Sequence, residues 1–465
     1  MSDAARRVVV VGGGLAGLAC ARALARESGL VPPDVLVLEA ASRPGGKALT
    51  DIEEGGWVVE WGPQSFLDDR DGPLRRLITA VGFSDEVVDP RPEARLRFVL
   101  HRGRLHAVPR DVLRLLGLRG ALRAASETFR RARRDDADES VHAFAVRRFG
   151  ARAADLLFSA LVTGIYAGDA RRLSLRSALP RVHALEQRHG SLVRALLTGG
   201  FVGRRSATLR RGLGSLTDAL ARDLGLRLRL ATPVDEVQPP AAPGAPWRVV
   251  TRAGGEEVVE EAGAVVLATP AFASAALVRP FAPALAAPLD AIPYAPVAVV
   301  VLGYDQAAFP AGPPRGFGFL VPRGQGRVLG CLFPTSMFDG MAPEGKVMLR
   351  VLVGGALDPP ALDLDDDALV RLARQEVEPV LGVGAEPERA RVLRHARAIP
   401  QYELGHADRL AAIDAQLAAW PGLFLTGNAY RGVSLVDVAA DAERTAEQVR
   451  AALPAPQGLT ASPEA

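Results

Sequence analysis

The pattern of apolar residues predicts strand–turn–helix units at both ends of the chain. Residues 7–11 form a β-branched run typical of a buried parallel strand, and residues 18–26 are rich in alanine and leucine, which favours a helix. A second apolar run, "VLVLEA" at residues 35–40, predicts the next strand. Near the carboxyl end, "LFLTGNAYRGVSLVD" at residues 423–437 again enters glycine turns before a predicted helix.

Length and composition indicate an ordinary globular protein. The 465 residues are enough for two or three domains, and contents of 48% hydrophobic and 23% charged residues are usual for such proteins. The net charge of +3 is small for this length, so no nucleic-acid partner is expected. Lys47 and Lys346 are the only lysines, and we interpret the abundance of arginine as composition bias.

Several site types and locations are not expected. Cys20 and Cys331 form no C-x-x-C pair, and the histidines form no H-x-x-x-H pattern, so neither a redox dithiol nor a metal site is predicted. No run of eighteen apolar residues occurs, so no transmembrane helix is expected. The amino end resembles a secretion signal in its arginines and its "ARALA", but such a signal has no need of four glycines. We expect a cytoplasmic protein.

The first glycine turn has the spacing of a dinucleotide-binding turn, Gly12-x-Gly14-x-x-Gly17. These glycines allow a tight turn, close approach of the backbone to a pyrophosphate, and close packing of helix on strand, and the intervening Gly13, Leu15 and Ala16 share the turn. Glu39 follows Gly17 by 22 residues and can bind ribose hydroxyls. NAD and FAD both fit this part of the pattern.

The next residues favour FAD. "EAASRPGGKALT" resembles the E-x-x-x-R-x-G-G-[RK] extension of the FAD-dependent amine oxidase-like superfamily. The resemblance implies cofactor contacts in three separated parts of the chain. The positions are Arg43, Gly46, Lys47, Gly62, Pro63, Gln64, Ser65, Val234, Thr269, Gly427, Asn428, Val433, Ser434 and Leu435. A helix starting near Asp437 is expected to direct its amino end at the flavin and to stabilise its reduced anion.

Six further segments resemble the oxygen-dependent protoporphyrinogen oxidases, a family that includes the coproporphyrinogen III oxidases. They are "VVEWGPQSFL", "LRFVLHRGRLHAVP", "VTGIYAGDARRLS", "IPYAPVAVVVLGY", "RGFGFLVP" and "GNAYRGVSLVD", in family order over roughly residues 6 to 450. The resemblance implies a six-electron oxidation of protoporphyrinogen IX to protoporphyrin IX, with O₂ giving H₂O₂, in haem biosynthesis. Coproporphyrinogen III is the alternative substrate.

The resemblance also implies substrate-binding residues. Arg97 matches an arginine that binds a propionate, and a guanidinium suits a carboxylate through paired charge-assisted hydrogen bonds. Gly164 matches a glycine whose carbonyl faces the pyrrole N–H groups. Four positions match the flat apolar slot around the macrocycle: Gly318, Leu320, Leu332 and Leu352. No catalytic acid or base is assigned.

Other functions stay open at this stage. Many family members have Val-Asn-Asp where this chain has Leu435, Val436 and Asp437, which leaves flavin tuning there in doubt. A flavin amine oxidase of the same fold typically needs an aromatic cage and a lysine near the flavin, and aromatic residues make up only 5% of the chain. A carotenoid-desaturase-like enzyme lacks "RGFGFLVP", and an inactive FAD-binding scaffold is the non-enzyme alternative.

Residues 95–134 contain twelve arginines but only two acidic residues, Asp111 and Glu127. "DVLRLLGLRGALRAA" and "ETFRRARR" have apolar residues at helical spacing with a basic opposite face. Such helices can lie on an anionic membrane, here the inner face of the cell membrane, or can simply be a solvated basic face. The oligomeric state is open, a homodimer included.

The predicted fold class is α/β. It comprises a Rossmann-like FAD-binding domain of the amine oxidase/PHBH type, a mixed-sheet substrate domain and a helical insertion. The FAD-binding domain is expected to be discontinuous, formed by residues 1–86, 205–275 and 398–453. Residues 87–109 and 276–397 are assigned to the substrate domain, 110–204 to the insertion, and 454–465 to a disordered tail.

Overall fold

The computed structural model describes residues 3–26, 32–133, 135, 137–198 and 205–454. At its centre lies a five-stranded parallel sheet built from both ends of the chain. Its strands, in spatial order, are Leu228–Arg229, Asp34–Leu38, Arg7–Val11, Ala264–Leu267 and Leu423–Leu425. The unbroken apolar runs predict this burial, because a parallel sheet is covered by helices on both faces.

Helices cover the two faces of this parallel sheet. Helices Leu15–Ala25, Gly214–Leu224 and Leu435–Ala452 pack on one face around Val8 and Val10. Helices Ala271–Val278 and Pro283–Asp290 pack on the other. A three-stranded antiparallel sheet adjoins this second face, and its strands are Val234–Gln238, Trp247–Ala253 and Glu256–Ala262.

A seven-stranded mixed sheet forms the second layer of the molecule. Its strands, in order, are Arg389–Pro400, Tyr294–Asp305, Lys346–Gly354, Val328–Leu332, Gly318–Leu320, Arg97–His101 and Arg104–Val108. One face packs on helix Asp366–Leu381. The opposite face receives strand Trp57–Glu60, which pairs with Thr50–Glu53 in a hairpin. This hairpin therefore connects the mixed sheet to the parallel-sheet half of the molecule.

Residues 110–198 are mainly helical. Their α-helices are Val112–Ala125, Val141–Phe149, Ala151–Ala153, Ser159–Tyr166, Leu175–Ala178, Pro180–His189 and Leu192–Leu197, with a π-helical segment at Ala154–Phe158. The prediction of a second basic helix in "ETFRRARR" is wrong for its described part, residues 127–133. Ser126–Phe129 is only a 3-10 turn, because Glu127 is buried and its carboxylate binds Arg148.

The remaining elements are short. Helices are Pro73–Ala80, Pro334–Met337 and His406–Leu417, and 3-10 turns are Asp3–Arg6, Ser84–Glu86, Pro92–Arg95, Gly225–Arg227, Gln306–Ala308 and Pro359–Asp363. Strands Phe66–Asp68, Arg205–Leu209 and Val87–Val88 form a small sheet. The architecture confirms the predicted α/β fold class. The domain boundaries stay a prediction, and the predicted disordered tail lies almost wholly outside the described residues.

Candidate functional site

In the first glycine turn, backbone segments lie so close together that a side chain does not fit between them. Gly12 has a φ of 109°, and a Cβ on Gly17 would lie 1.9 Å from the Gly12 carbonyl oxygen. The turn leads directly into helix Leu15–Ala25, whose first turn has no side-chain cap. The amino end of this helix therefore keeps backbone N–H groups available for a phosphate.

Glu39 lies against this turn, at the end of the neighbouring strand. Its carboxylate accepts hydrogen bonds from the backbone N–H groups of Gly13, at 2.5 Å, and Ala41, at 2.8 Å. The carboxylate that the sequence assigns to a ribose is thus placed beside the glycine turn. The spacing of the motif predicts this arrangement, because parallel neighbouring strands end at the same edge of their sheet.

The segment after Glu39 folds back onto the same turn. The Gly45 N–H donates to the Gly13 carbonyl at 2.8 Å, and Gly14 and Gly45 form a parallel bridge. Gly45 and Gly46 have φ values of 115° and 59°, which favour glycine. The predicted Gly-Gly extension is therefore in direct contact with the predicted dinucleotide turn.

The late glycine turn meets the first one. A Cβ on Gly427 would have the Ala16 Cβ, at 3.9 Å, as its only close neighbour among the described residues. Asp441 fixes this turn, because its carboxylate accepts hydrogen bonds from the Thr426 hydroxyl at 3.0 Å and the Gly427 N–H at 3.1 Å. Two turns from opposite ends of the chain thus form one site.

Tyr402 holds the rest of the late turn. Its hydroxyl donates to the Asn428 carbonyl at 2.7 Å and accepts from the Gly432 N–H at 2.8 Å. The next helix begins at Leu435, two residues before the predicted Asp437, because Ser434 and Asp437 form a capping box. Tyr402 is a residue that the sequence reasoning missed, since nothing in its local pattern indicates a contact with this turn.

The predicted residues outside the two turns occupy varied positions. Thr269 follows strand Ala264–Leu267, and its hydroxyl is 2.8 Å from that of Ser274. Val234 starts the antiparallel sheet and is half-buried against the core under the parallel sheet. Val433 packs on the helical region. Pro63 and Ser65 are half-buried. Their cofactor contacts stay predictions.

The two predicted cations are held by protein groups in this structure. Arg43 forms an ion pair with Asp51 at 2.8 Å and donates to the Thr50 carbonyl at 3.0 Å. The Lys47 ammonium donates to the Ala398 carbonyl at 2.6 Å, and burial lowers its pKa to about 8. Lys47 therefore faces the mixed sheet, whereas Arg43 is at the surface.

A buried polar group adjoins residues 62–65. The Arg350 guanidinium, which is 2% exposed, donates to the Gly62 carbonyl. Glu60 is 1% exposed, and its carboxylate accepts hydrogen bonds from the Thr50 hydroxyl and the Leu213 N–H, both at 2.7 Å. Burial raises the pKa of Glu60 to about 7. Burial lowers the pKa of Arg350 to about 10, which the carboxylate of Glu60 partly opposes.

The predicted substrate residues lie on one face of the mixed sheet. Arg97, Gly318, Leu332 and Arg350 are direct partners in one row across four strands. At about 4.8 Å per strand, the two arginines at the ends of this row are about 14 Å apart. Directly paired residues point to the same face, so the row and its neighbour form a common surface.

This surface is apolar and incompletely covered. Leu320 and Leu352 flank Gly330 in the neighbouring row, and Leu320, Leu332 and Leu352 are only half-buried although their strands are otherwise mostly buried. A Cβ on Gly164 would lie 2.8 Å from the Leu320 side chain, so helix Ser159–Tyr166 faces this surface. We call Leu320, Leu332 and Leu352 the apolar floor.

Arg97 lies at the outer end of the row. Its guanidinium stacks 4.3 Å from the ring centroid of Phe317, and among the described residues no carboxylate pairs with it. By contrast, Lys346, the late lysine of the amine oxidase alternative, forms ion pairs with Asp305 at 3.1 Å and Glu388 at 2.8 Å at the end of its strand. Arg97 is thus a cation available for an anionic ligand.

The geometry fits FAD. The uncapped helix, the adjoining Glu39 carboxylate and the Gly45–Gly14 contact suit an adenosine diphosphate moiety. A Cβ on Gly14 would have only the Gly46 Cα, at 3.9 Å, near it, so a ligand can approach this backbone closely. In the described part of the chain, no cluster of three or more histidine, cysteine or carboxylate residues could hold a metal ion. No helix described there is long and apolar enough to span a bilayer.

Comparison with known proteins agrees with this geometry. The family described as flavin-containing amine oxidoreductase matches residues 15–450. A chloroplastic protoporphyrinogen oxidase of Oryza sativa is 32% identical, over 95% of this chain and 87% of its own length. A coproporphyrinogen III oxidase of Propionibacterium freudenreichii is also 32% identical, over 95% of this chain and 90% of its own.

A solved structure has the same fold as this chain. The protein from Exiguobacterium sp. 255-15, provisionally named a protoporphyrinogen oxidase, superposes with a TM-score of 0.83 at 28% identity and covers 96% of this chain and 99% of its own. The relatives cover 95–96% of the chain, and the family match at residues 15–450 includes the late glycine turn and the mixed sheet. The chain therefore belongs to the flavin-containing amine oxidoreductase family, together with the protoporphyrinogen and coproporphyrinogen III oxidases, and is an FAD-dependent oxidoreductase.

Proposed function

We propose that this protein is an FAD-dependent porphyrinogen oxidase that converts protoporphyrinogen IX to protoporphyrin IX, with O₂ as the acceptor and H₂O₂ as the product. The observation that carries the proposal is the apolar floor with the unpaired Arg97 at its end. A flat tetrapyrrole with propionates at its edge needs this combination. The names of the relatives support the same substrate class.

The protein residues are assigned to binding and positioning. Arg97 binds a propionate through charge-assisted hydrogen bonds, and we take this contact to be worth about 1.5–3 kcal/mol in all. The apolar floor packs against the macrocycle and excludes water from it. Gly164, whose carbonyl belongs to the helix opposite Leu320, is assigned to the pyrrole N–H groups. Asp441 and Tyr402 hold the late glycine turn in place at the cofactor.

Bound FAD supplies a two-electron acceptor that O₂ can reoxidise, so three turnovers account for a six-electron oxidation. The protein contributes a dry and preorganised surface on which the bridging carbons can be oriented. Aromatisation of the macrocycle provides the driving force. No side chain is assigned as a general acid or base.

The test is porphyrin fluorescence and H₂O₂ release by the purified FAD-loaded protein under air, with protoporphyrinogen IX and coproporphyrinogen III in parallel. Arg97→Leu should lower kcat/KM by about 10- to 150-fold, mainly through KM, because 1.5–3 kcal/mol of uniform binding is lost. Arg315→Leu is the matched control, because Arg315 is an exposed arginine paired with Glu93 at 3.0 Å. Equal effects of the two variants would exclude the role of Arg97.

Coproporphyrinogen III is the alternative substrate, and one observation favours it. Its two additional propionates need further cations, and the hairpin that carries Arg97 also carries Arg102 and Arg104 at its turn. A higher kcat/KM for coproporphyrinogen III than for protoporphyrinogen IX would assign the enzyme to the coproporphyrin route of haem synthesis. If neither porphyrinogen is oxidised faster than in the enzyme-free control, the proposed function is wrong, and amines should then be tested as substrates.

We also propose a peripheral contact with an anionic membrane through helix Val112–Ala125. Leu113, Leu118 and Leu122 are 58%, 70% and 63% exposed, and basic side chains lie beside them, including Arg114. Apolar insertion and attraction to anionic lipid would act together on such a surface. Co-sedimentation with phosphatidylserine-containing vesicles, but not with pure phosphatidylcholine vesicles, is expected. Leu118→Glu should abolish it without changing FAD content.

A further inference from the structure

Arg350 is a buried cation that neither the sequence pattern nor the assigned substrate contacts explain. It lies in the middle of strand Lys346–Gly354, on the sheet face that also carries Met348 and Leu352. This face is covered by Trp57 and Val59 of the hairpin that connects the two halves of the molecule. An arginine at this depth is costly unless its charge and its donors are satisfied.

Two consecutive carbonyls next to the predicted cofactor segment are bound by side chains of the mixed sheet. Arg350 donates to the Gly62 carbonyl, and the Nε2 of His395 lies 2.9 Å from the Trp61 carbonyl. Room is also limited here, since a Cβ on Gly62 would lie 2.1 Å from the Lys47 carbonyl oxygen. Arg350 and His395 together fix the backbone that leads into residues 62–65.

The charge of Arg350 is only partly balanced by the described residues. No carboxylate forms an ion pair with it, and its buried Nε has no hydrogen-bond partner. The carboxylate of Glu60 attracts the Arg350 charge without touching it and so raises the pKa of Arg350. The Glu60 oxygens themselves accept hydrogen bonds from Thr50 and Leu213. Lys47 and His395 are the other titratable groups nearby. Burial lowers the pKa of His395, and the charges of Lys47 and Arg350 lower it further, so the imidazole is held neutral. A buried, incompletely balanced cation of this kind is suited to an anion that forms during turnover.

We propose that Arg350 is a positioning residue of the flavin site: it fixes the backbone at Gly62 and supplies positive charge that stabilises reduced, anionic flavin, with Glu60 as its counter-charge. A cation close to the flavin ring favours the reduced anion over the neutral oxidised form and therefore raises the reduction potential. The proposal rests on FAD binding and on the predicted contact of residues 62–65 with the cofactor, and not on the identity of the substrate. It therefore can be tested without any porphyrinogen.

The experiment measures the two-electron midpoint potential of bound FAD, by equilibration with a reference dye at pH 8.5, where Glu60 is ionised. Arg350→Met should lower the potential by about 30 mV or more, which corresponds to a tenfold loss in binding of reduced relative to oxidised flavin. Arg350→Lys, which keeps the charge, should restore most of the difference. Arg394→Met is the matched control, because Arg394 lies in the same sheet but pairs with Asp366 at 2.6 Å; its potential should equal that of the wild type.

Glu60→Gln is a second variant, and it should shift the midpoint potential of FAD in the opposite direction. Removing the counter-charge leaves Arg350 less balanced, so the potential of this variant should rise. If Arg350→Met does not fold or purifies without FAD, a wild-type-like potential in Arg350→Lys together with a raised potential in Glu60→Gln supports the proposal. An Arg350→Met protein that loses FAD affinity or thermal stability but keeps the wild-type potential overturns it, as does a Glu60→Gln protein with an unchanged or lowered potential.

Discussion

Single atoms distinguish the roles of the glycines in the first turn. A Cβ on Gly17 would overlap the Gly12 carbonyl, at 1.9 Å, whereas a Cβ on Gly14 would have the Gly46 Cα, at 3.9 Å, as its nearest neighbour. Gly14 also has a φ of −75°, which alanine adopts without strain. Gly17 is therefore required by the fold of the turn, whereas Gly14 would be required only by the proposed close approach of a pyrophosphate.

We expect Gly17→Ala to lower the stability of the apoprotein by about 3 kcal/mol, since the turn must open. Gly14→Ala should leave the melting temperature of the apoprotein unchanged but weaken FAD binding about tenfold or more, or about 1.4 kcal/mol. The measurements are thermal melts without FAD and titration of FAD by flavin fluorescence. Gly384→Ala is the control, because its Cβ would meet no atom closer than 4.0 Å. Tight FAD binding by Gly14→Ala would contradict the assignment of this turn to the pyrophosphate.

His406 gives a residue-scale prediction for pH. The imidazole is buried, stacks on Tyr402 and lies 3.1 Å from the Tyr430 carbonyl, and burial lowers its pKa to about 4. The unfolded chain binds this proton at a pKa of about 6.5. Stability is therefore complete above pH 6.5 and is lost as the pH falls towards 4, by on the order of 1.4 kcal/mol per pH unit.

The check is the unfolding free energy from urea titrations at several pH values between 4 and 7. His406→Gln should be less stable than the wild type at pH 7, but it should show a shallower decline between pH 6.5 and 4. His183→Gln, on a helix of residues 110–198, serves as the control. Parallel declines of the wild type and His406→Gln would show that another group causes the acid sensitivity.

At the scale of elements, the helices of residues 110–198 are joined by a buried ion network. Arg148 and Glu127 are both fully buried, and the Arg148 Nε donates to Glu127 at 2.9 Å. The same guanidinium donates to the carbonyls of Arg130, Arg131 and Gly190. One side chain therefore joins three chain segments: residues 127–131, Gly190 and its own helix. This ion network acts in addition to the apolar core of the region, which includes Val141, Phe144 and Val162.

Arg148→Met should destabilise the helical region by about 3–5 kcal/mol, because it leaves the buried Glu127 carboxylate without its cation and three carbonyls without this donor. We expect limited proteolysis to cut residues 110–198 first, while FAD stays bound to the remainder. Arg188→Met, at an exposed position of helix Pro180–His189, is the control. If the whole protein melts in one transition at a lower temperature with no early cleavage, the helical region is not an independent unit of stability.

At the scale of the whole molecule, local sequence patterns predict part of the fold but not the contacts between distant segments. The parallel strands, the first turn and the position of Glu39 follow from local apolar runs and spacing. The meeting of Gly427 with Ala16 follows only from the family resemblance, because no local signal connects residues so far apart. Arg350 was not predicted, since in "KVMLRVLVG" it has the position of a solvent-facing residue on a strand. At Arg350 the mixed sheet is covered on both faces, and this tertiary packing decides the burial of the side chain.

The assembly of the site from distant segments predicts a cooperative response to FAD. At a hundred times Kd, bound FAD should stabilise the apoprotein by about 2.7 kcal/mol. Hydrogen exchange should slow together in residues 12–17, 45–47 and 427–437, because all three surround one ligand. Protection confined to the amino-terminal segment would contradict a shared site. Strand Glu256–Ala262 of the antiparallel sheet is the internal reference.

Most neighbouring strands of the parallel sheet lie far apart in the sequence, so the ribosome synthesises them at different times. Strand Arg7–Val11 emerges early, but its neighbour Ala264–Leu267 and the edge strand Leu423–Leu425 come much later. At about 5–20 residues per second, roughly 20–80 s separate the first strand from the last. During that interval the nascent chain carries an apolar strand without its full set of partners, and it lacks half of the cofactor site. Because the late glycine turn is synthesised near the end, we expect the nascent chain to bind FAD tightly only once almost the whole chain has left the ribosome.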